Sequence, residues 1–155
     1  MTASDPVELA HVLGRRITAA AGKDQQKNLG QFMTSAVVAR LTASLLVGRG
    51  SAGNVRVVEP AAGAGVLASA LCEALAQADV RPLRIELTLC ELDEAFRPVL
   101  AEVCQTLTAW LAQRGIELAV TMIFGDYVLL NAASLDRDLF GAARQFDLAI
   151  ANPPY

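Results

Sequence analysis

The chain has few of the residues that build metal centres. It has one histidine, His11, and three cysteines, Cys72, Cys90 and Cys104, in 155 residues. The cysteines stand far apart, no CxxC pair exists, and a single histidine completes no ligand set. A zinc finger or ribbon is excluded, no metal site is expected, and the cysteines read as buried free thiols. Basic residues are not in surplus either: 13 Lys and Arg face 16 Asp and Glu, for a net charge of −3. That is a poor footprint for a domain that grips nucleic acid unaided. No charge-free apolar run reaches about 18 residues, so no membrane-spanning helix is expected. The N-terminal stretch MTASDPVELAHVLGRR has no apolar core behind a basic start. A cytoplasmic location, away from membranes, is the expectation. Internal repeats and low-complexity tracts are also missing.

What the chain does have is core material. Hydrophobic residues make up 54%, much of it alanine and leucine, which favours several helices. The length suits one domain. Pro6 to about Ala21 reads as a helix, with Asp5 as its cap, Pro6 in its first turn and Glu8 completing a capping box. The polar stretch 22–30 reads as a linker. A second helix is expected over Ser35–Val47, on apolar residues at Val37, Val38, Leu41, Leu45 and Leu46. Gly48, Gly50 and Gly53 then break the pattern. An alternation follows: a strand at 55–59, a glycine turn, a helix from about Val66 to Gln77, and a strand at 83–91. A helix from about Glu94 to Arg114 comes next, with Asp93 as cap and Gly115 past its end. A strand at 117–124, a mixed and partly helical segment, and a strand at 146–151 complete the order. Strands separated by helical runs imply parallel pairing with helices on both faces, a doubly wound α/β sheet.

In such a sheet, ligands bind beyond the carboxyl ends of the strands. After the first strand comes EPAAGAG, residues 59–65. Gly63 and Gly65 leave room for a ligand at the backbone, and the helix from Val66 offers free N–H groups to an anion. No Lys-Ser or Lys-Thr follows, which excludes a phosphate-gripping P-loop. Ala68 stands where the dinucleotide fingerprint allows alanine, so a nicotinamide reading stays open. The same turn could be a plain strand-to-helix connection. After the second strand, Glu91 can accept hydrogen bonds from both hydroxyls of a ribose, or can be a solvated acid beside a helix start. After the third, the GDY turn places Asp126 to receive an adenine amino group, although Asp after Gly also marks ordinary turns. After the fourth comes NPPY, residues 152–155, which alone could be a rigid loop. Together, four strand ends with ligand-type residues favour a nucleoside cofactor.

NPPY indicates the chemistry. The exocyclic nitrogen of adenine is a weak nucleophile because its lone pair is delocalised into the ring. An Asn oxygen and a backbone carbonyl can each accept one of its N–H bonds, drawing the nitrogen toward a tetrahedral shape. Prolines hold those acceptors fixed. A tyrosine ring can stack on a base that has left its duplex.

With these motifs in place, the sequence resembles the N-terminal part of an N6-adenine DNA methyltransferase, of the class I, S-adenosylmethionine-dependent, restriction-modification type. LGQFMTS (29–35) is similar to the element that, in one subgroup, precedes the glycine loop. EPAAGAG resembles the cofactor loop, ELD (91–93) the ribose-binding strand end, GDY (125–127) the adenine-binding turn, and ANPPY (151–155) the catalytic loop. The resemblance runs from about Asn28 to Tyr155 and implies a Rossmann-like domain. Residues 1–50 would form a helical arm, and residues 51–155 an incomplete cofactor-binding domain. By the same resemblance Gln31, Phe32 and Thr34 shape the methionine end of the cofactor. Glu59, Pro60, Gly63 and Gly65 line its loop. Glu91 binds ribose and Leu92 covers the adenine ring. Asp126 takes the adenine amino group, with Tyr127 beside it. Asn152, Pro153 and Pro154 hold the target amine, with Tyr155 stacking. Ser35 departs from the proline common at its position.

In the family the chain continues after NPPY with more strands and a target-recognition region. The expectation is therefore a fragment whose DNA contacts lie mainly in the missing part, and which is inactive as it stands. A nuclease or specificity subunit is the kind of partner such systems imply. Two other readings remain open. One is a methyltransferase for a protein glutamine or an RNA guanine amine, since NPPY serves any planar amide or amine. The other is a non-catalytic cofactor-binding remnant.

Overall fold

The computed structural model describes residues 5–20, 34–49, 52–130 and 146–152. Its centre is a parallel sheet built from three apolar runs and one short strand. Strand β1 spans Asn54–Glu59, β2 Arg84–Glu91, β3 Glu117–Phe124 and β4 Leu148–Ala149. All four are parallel, in the order β3-β2-β1-β4. The chain therefore builds outward from β1 to β3, then returns to add β4 on the other side of β1. That reversal makes a topological switch point between β1 and β4, where a crevice opens at the carboxyl ends of the strands. The fold is α/β, with a parallel sheet as expected.

Helix α1 runs Pro6–Ala20 and α2 Ala36–Ser44, followed by a 3-10 turn at Val47–Arg49. Helix α3 runs Val66–Gln77 and α4 Arg97–Ala112, the latter preceded by a 3-10 turn at Glu94–Phe96. Asp5 caps α1 as expected, its Oδ1 accepting the N–H of Val7 at 2.9 Å and of Glu8 at 3.2 Å. Glu8, expected to reach back as the other half of a capping box, instead accepts from Arg40 at 3.0 Å. Ser35, expected as the first helical residue, is the cap of α2 and accepts from the N–H of Val38 at 3.3 Å. Asp93 takes the N–H of Ala95 at 2.9 Å and so starts the turn that leads into α4.

Helix α3 is the middle of the molecule. It is apolar nearly all round and buried from Val66 to Cys72, as such a helix must be. It contacts β1 and β2 on one side and α1, α2 and α4 on others. Alternation along the strands sends Val55, Val57, Ile85 and Leu87 into this core, all at most 1% exposed. Since α1 bridges α3 and α4, these three helices share one face of the sheet. The opposite face carries Arg56, Glu86 and Thr121, which are half-buried or exposed. The helices expected on both faces are thus seen on one face among the described residues; most of the segment expected to supply others, 131–145, lies outside them.

Two further expectations need correction. The last strand, expected over six residues, is two residues long, although Asp147 and Ile150 still donate to β1 carbonyls at 2.8 and 3.0 Å on either side of it. The apolar stripe of α2 is not its inward face. Val37, Leu41 and Leu45 are 76%, 65% and 75% exposed, while Ala36, Ala39 and Ala43 are buried. Small side chains let α2 lie close against the alanine-rich α3, and the bulky ones are left outside. The three cysteines are buried and outside any disulfide, as expected. Among the described residues no helix is long and apolar enough to cross a membrane.

Candidate functional site

The cleft at the β1–β4 switch point is lined by Thr34, Glu59, Ala62, Gly63, Val66 and Asn152, with Ala61 and Leu67. Its enclosed volume is ≈ 50 Å³, enough for a small polar head group and not for a nucleoside. Two larger hollows are found among the described residues. One of ≈ 400 Å³ lies on the open sheet face by Arg56, Glu86 and Thr121. The other, of ≈ 230 Å³, lies between α2 and α3. Neither sits at the carboxyl ends of the strands, and neither gathers residues from the loops that follow them. The small cleft does both, so it is the candidate.

The loop after β1 is shaped by glycine. Gly63 and Gly65 have φ of +52° and +76°, the left-handed region that other residues enter at a cost. A side chain at Gly63 would meet nothing within 4 Å, so that backbone faces open space. A side chain at Gly65 would approach Leu100 of α4 to 3.2 Å. Gly63 thus leaves room for a ligand, while Gly65 lets the loop pass close to the core. The loop is latched to β2 by two bonds: Ala62 N–H to the Cys90 carbonyl at 2.9 Å, and Gly63 N–H to Glu91 Oε2 at 2.6 Å.

Glu59 ends β1 and is 1% exposed. Its Oε2 accepts the N–H of Ala68 in the first turn of α3 at 2.9 Å. Burial pushes its carboxyl well above the usual carboxylate range; the Ala68 bond opposes this and the nearby Glu91 adds to it. Glu91 ends β2 and is 9% exposed. Its other oxygen, Oε1, accepts the N–H of Asp93 at 2.8 Å. Each oxygen of this carboxylate thus holds one backbone donor and retains a second lone-pair site. The Glu91 carbonyl also takes the N–H of Gly125 at 2.9 Å, tying the end of β3 to the same edge.

Asn152 follows β4. Its Nδ2 donates to Thr34 Oγ1 at 3.2 Å, across 118 positions of sequence. The Thr34 carbonyl in turn lies 3.3 Å from Nδ1 of His11 on α1. The arm that precedes the glycine loop therefore reaches the residue that follows the last strand.

Of the residues singled out from the sequence, the cleft brings together Thr34, Glu59, Gly63 and Asn152, with Glu91 bonded to its rim. Pro60 turns the chain past β1 and is half-buried, without lining the cleft. Leu92 is 59% exposed beside Glu91. Asp126 is exposed; its Oδ1 caps a helical turn by accepting from Val128 and Leu129 at 2.9 and 3.1 Å. Tyr127 begins that turn, half-buried. None of these three lines the cleft. Gln31, Phe32, Pro153, Pro154 and Tyr155 lie outside the described residues. Sequence reasoning missed His11 as a neighbour of the site, and Val66 and Leu67 as its apolar wall. Val66 and Leu67 could have been found, since they open the helix directly after the glycine loop. Nothing in the sequence around His11 signals its contact.

No protein-family model matches this chain, and no curated protein matches it.

Proposed function

We propose that this chain binds S-adenosylmethionine at the β1–β4 crevice and serves methyl transfer to the N6 amine of adenine in DNA. The observation that carries the reading is the meeting of Thr34, Glu59, Gly63 and Asn152 around one cleft. They come from the three stretches, LGQFMTS, EPAAGAG and ANPPY, on which the resemblance to N6-adenine methyltransferases rests.

The residues present fit that cofactor. Glu91 keeps a free lone-pair site on each oxygen, one for each ribose hydroxyl. Leu92, exposed beside it, offers an apolar surface to the adenine ring. The open space over Gly63 admits a ligand to the backbone. Glu59 and Thr34 give the enclosed end polar groups suited to an amino-acid head. The lining residues include no basic side chain, and the acid Glu91 stands at the rim, which weighs against a dinucleotide, whose pyrophosphate would bring negative charge to this edge.

The cofactor supplies a methyl carbon on a positively charged sulfur: the amine lone pair forms the new N–C bond, the C–S bond breaks toward sulfur, and the surplus amine proton passes to water. The chain's part is to prepare the amine. Asn152 Oδ1 accepts one of its hydrogens and the Pro153 carbonyl the other, so the lone pair is withdrawn from the ring and aimed. Tyr155 stacks on the displaced base. DNA is the partner this assigns, with a nuclease or specificity subunit as the associated protein.

The test is mass spectrometry of DNA incubated with S-adenosylmethionine and the chain supplied with a target-recognition region. N6-methyladenine is expected, and Asn152→Ala should remove it while leaving cofactor affinity nearly intact. Methylcytosine, or a methylated protein glutamine with unmodified DNA, would overturn the assignment.

A further inference from the structure

We infer that Glu59 gives up a proton to solvent when the ammonium of an amino-acid head enters the cleft, so that binding and loss of that proton are one event. The identity of the ligand rests on the S-adenosylmethionine reading above; the exchange needs only the head group.

Glu59 is the acid among the residues that line the cleft, and it is 1% exposed. A carboxylate that deep needs a cation or several donors. Its Oε2 accepts one amide N–H, that of Ala68, at 2.9 Å. The other lining residues carry no charge. The ionisable groups that face Glu59 from neighbouring elements are Glu91 at the end of β2, Cys72 of α3 and Cys104 of α4. All three are acids, so none can offset a negative charge. Burial keeps both thiols neutral, and Glu91 adds repulsion. The amino end of α3 brings partial positive charge, since Ala68 lies in its first turn. One N–H and a helix end offset part of the cost of burial, not the whole of it. Without a cation in the cleft, Glu59 is a neutral acid.

An ammonium reverses the balance. It is a compact cation with three donors, and the enclosed volume of ≈ 50 Å³ suits a group of that size. An opposite charge in contact favours the ionised carboxyl, against the effect of burial. The O–H bond of Glu59 breaks, its electron pair stays on the carboxyl oxygen, and the proton passes to water. A neutral site becomes a neutral ion pair. A ligand without the ammonium leaves the proton in place, so the cleft reads the head by its charge. Affinity then rises with pH while Glu59 of the free protein keeps its proton. One proton released corresponds to at most about tenfold per pH unit. The rise ends where the ligand's own amine titrates, near the ordinary α-amino value of about 7.7–8.0.

The experiment follows the side-chain carboxyl carbon of Glu59 by ¹³C NMR at about pH 6, between the ordinary carboxylate and α-amino values. The protein is labelled in glutamate, and the resonance is assigned by its loss in Glu59→Gln. It should stand at the neutral-acid position in the free protein and move to the carboxylate position on saturation with S-adenosylmethionine. 5′-Methylthioadenosine, which has the nucleoside and no amino-acid head, should leave it unmoved. Titration calorimetry in two buffers of unequal ionisation heat should count about one proton released per S-adenosylmethionine bound. His11, the chain's one imidazole, lies behind Thr34; His11→Gln should release the same proton. A Glu59 resonance at the carboxylate position without ligand would overturn the inference. So would one that stays neutral in the S-adenosylmethionine complex, or a proton release lost in His11→Gln. If S-adenosylmethionine does not bind, the cofactor reading fails. Saturating methionine, which has the same head, should still move the resonance, and no response to either ligand would overturn the inference too.

Discussion

Glu91 and Gly63 are joined across the carboxyl edge of the sheet, the Gly63 N–H donating to Glu91 Oε2 at 2.6 Å. The bond fastens the loop after β1 to the end of β2. Because the Glu91 carbonyl also holds the N–H of Gly125, one residue fixes the geometry of three strand ends. A loop held this way is pre-formed, so a ligand bound there loses little affinity to ordering it.

The two loop glycines are not equivalent, and their substitutions separate strain from crowding. Gly63→Ala meets open space and carries only the left-handed backbone cost, about 1–2 kcal/mol. Gly65→Ala carries the same cost and also brings a methyl group to 3.2 Å from Leu100, a residue 1% exposed that would have to shift by a few tenths of an ångström. A total of about 2–4 kcal/mol is expected. Thermal melting should therefore show the larger fall for Gly65→Ala, with each kcal/mol worth about 2–4 °C at this size. The reverse order would mean that the loop is not packed on α4 as described.

Glu59 gives the protein a pH dependence of known sign. Burial holds its carboxyl neutral in the folded state at pH values where the unfolded chain has ionised it. Unfolding then releases a proton. The contribution of this group is full below the ordinary carboxylate value and is lost as pH rises toward the folded one. Glu59→Gln stays neutral and can still accept from Ala68. Its melting temperature relative to wild type should therefore climb as pH rises above the ordinary carboxylate value of about 4.3. A difference that does not change with pH would show that Glu59 is ionised when folded.

Arg40 fastens three helices together. From α2 it reaches Asp5, just before α1, at 2.6 Å, Glu8 of α1 at 3.0 Å and Glu73 of α3 at 3.0 Å. Its side chain is 34% exposed, so solvent screens much of the attraction. Burial alone would lower its pKa, yet hydrogen bonds to Glu73, Glu8 and Asp5 raise it overall. Arg40→Met should cost about 1–2 kcal/mol in urea unfolding, as a network exceeding one exposed pair. The loss should shrink in high salt. A salt-independent loss would point to packing of the arginine stem instead.

The parts of the fold legible in the sequence were those set by local rules. Strand β3 was expected over 117–124 and is found there, because a run of apolar and branched residues between Gly115 and Gly125 admits one reading. Asp93 was legible as a cap, since only an acceptor at that place can satisfy the first N–H groups of the turn. The inward face of α2 was not legible. Periodicity shows that a helix has two faces, but the choice between them fell to the alanine-rich neighbour, where Ala36, Ala39 and Ala43 permit close approach. At the candidate site the cleft gathers Glu59, Gly63 and Asn152 from the first and fourth strand ends, with Glu91 at its rim, whereas Asp126 after the third does not line it. The contact between Thr34 and Asn152 was not legible, because a single side-chain bond between distant positions leaves no periodic trace.

The central claim is that the edge built from Glu91 and the loop at Gly63 is a site for S-adenosylmethionine, and titration calorimetry tests it most directly. One molecule should bind per chain. Glu91→Ala should weaken binding by about 1.5–3 kcal/mol, the worth of hydrogen bonds to a charged group. Glu91→Gln, which keeps one acceptor, should fall between. Circular dichroism would confirm that each variant is folded. No heat of binding with wild type, or an affinity unchanged in folded Glu91→Ala, would contradict the account.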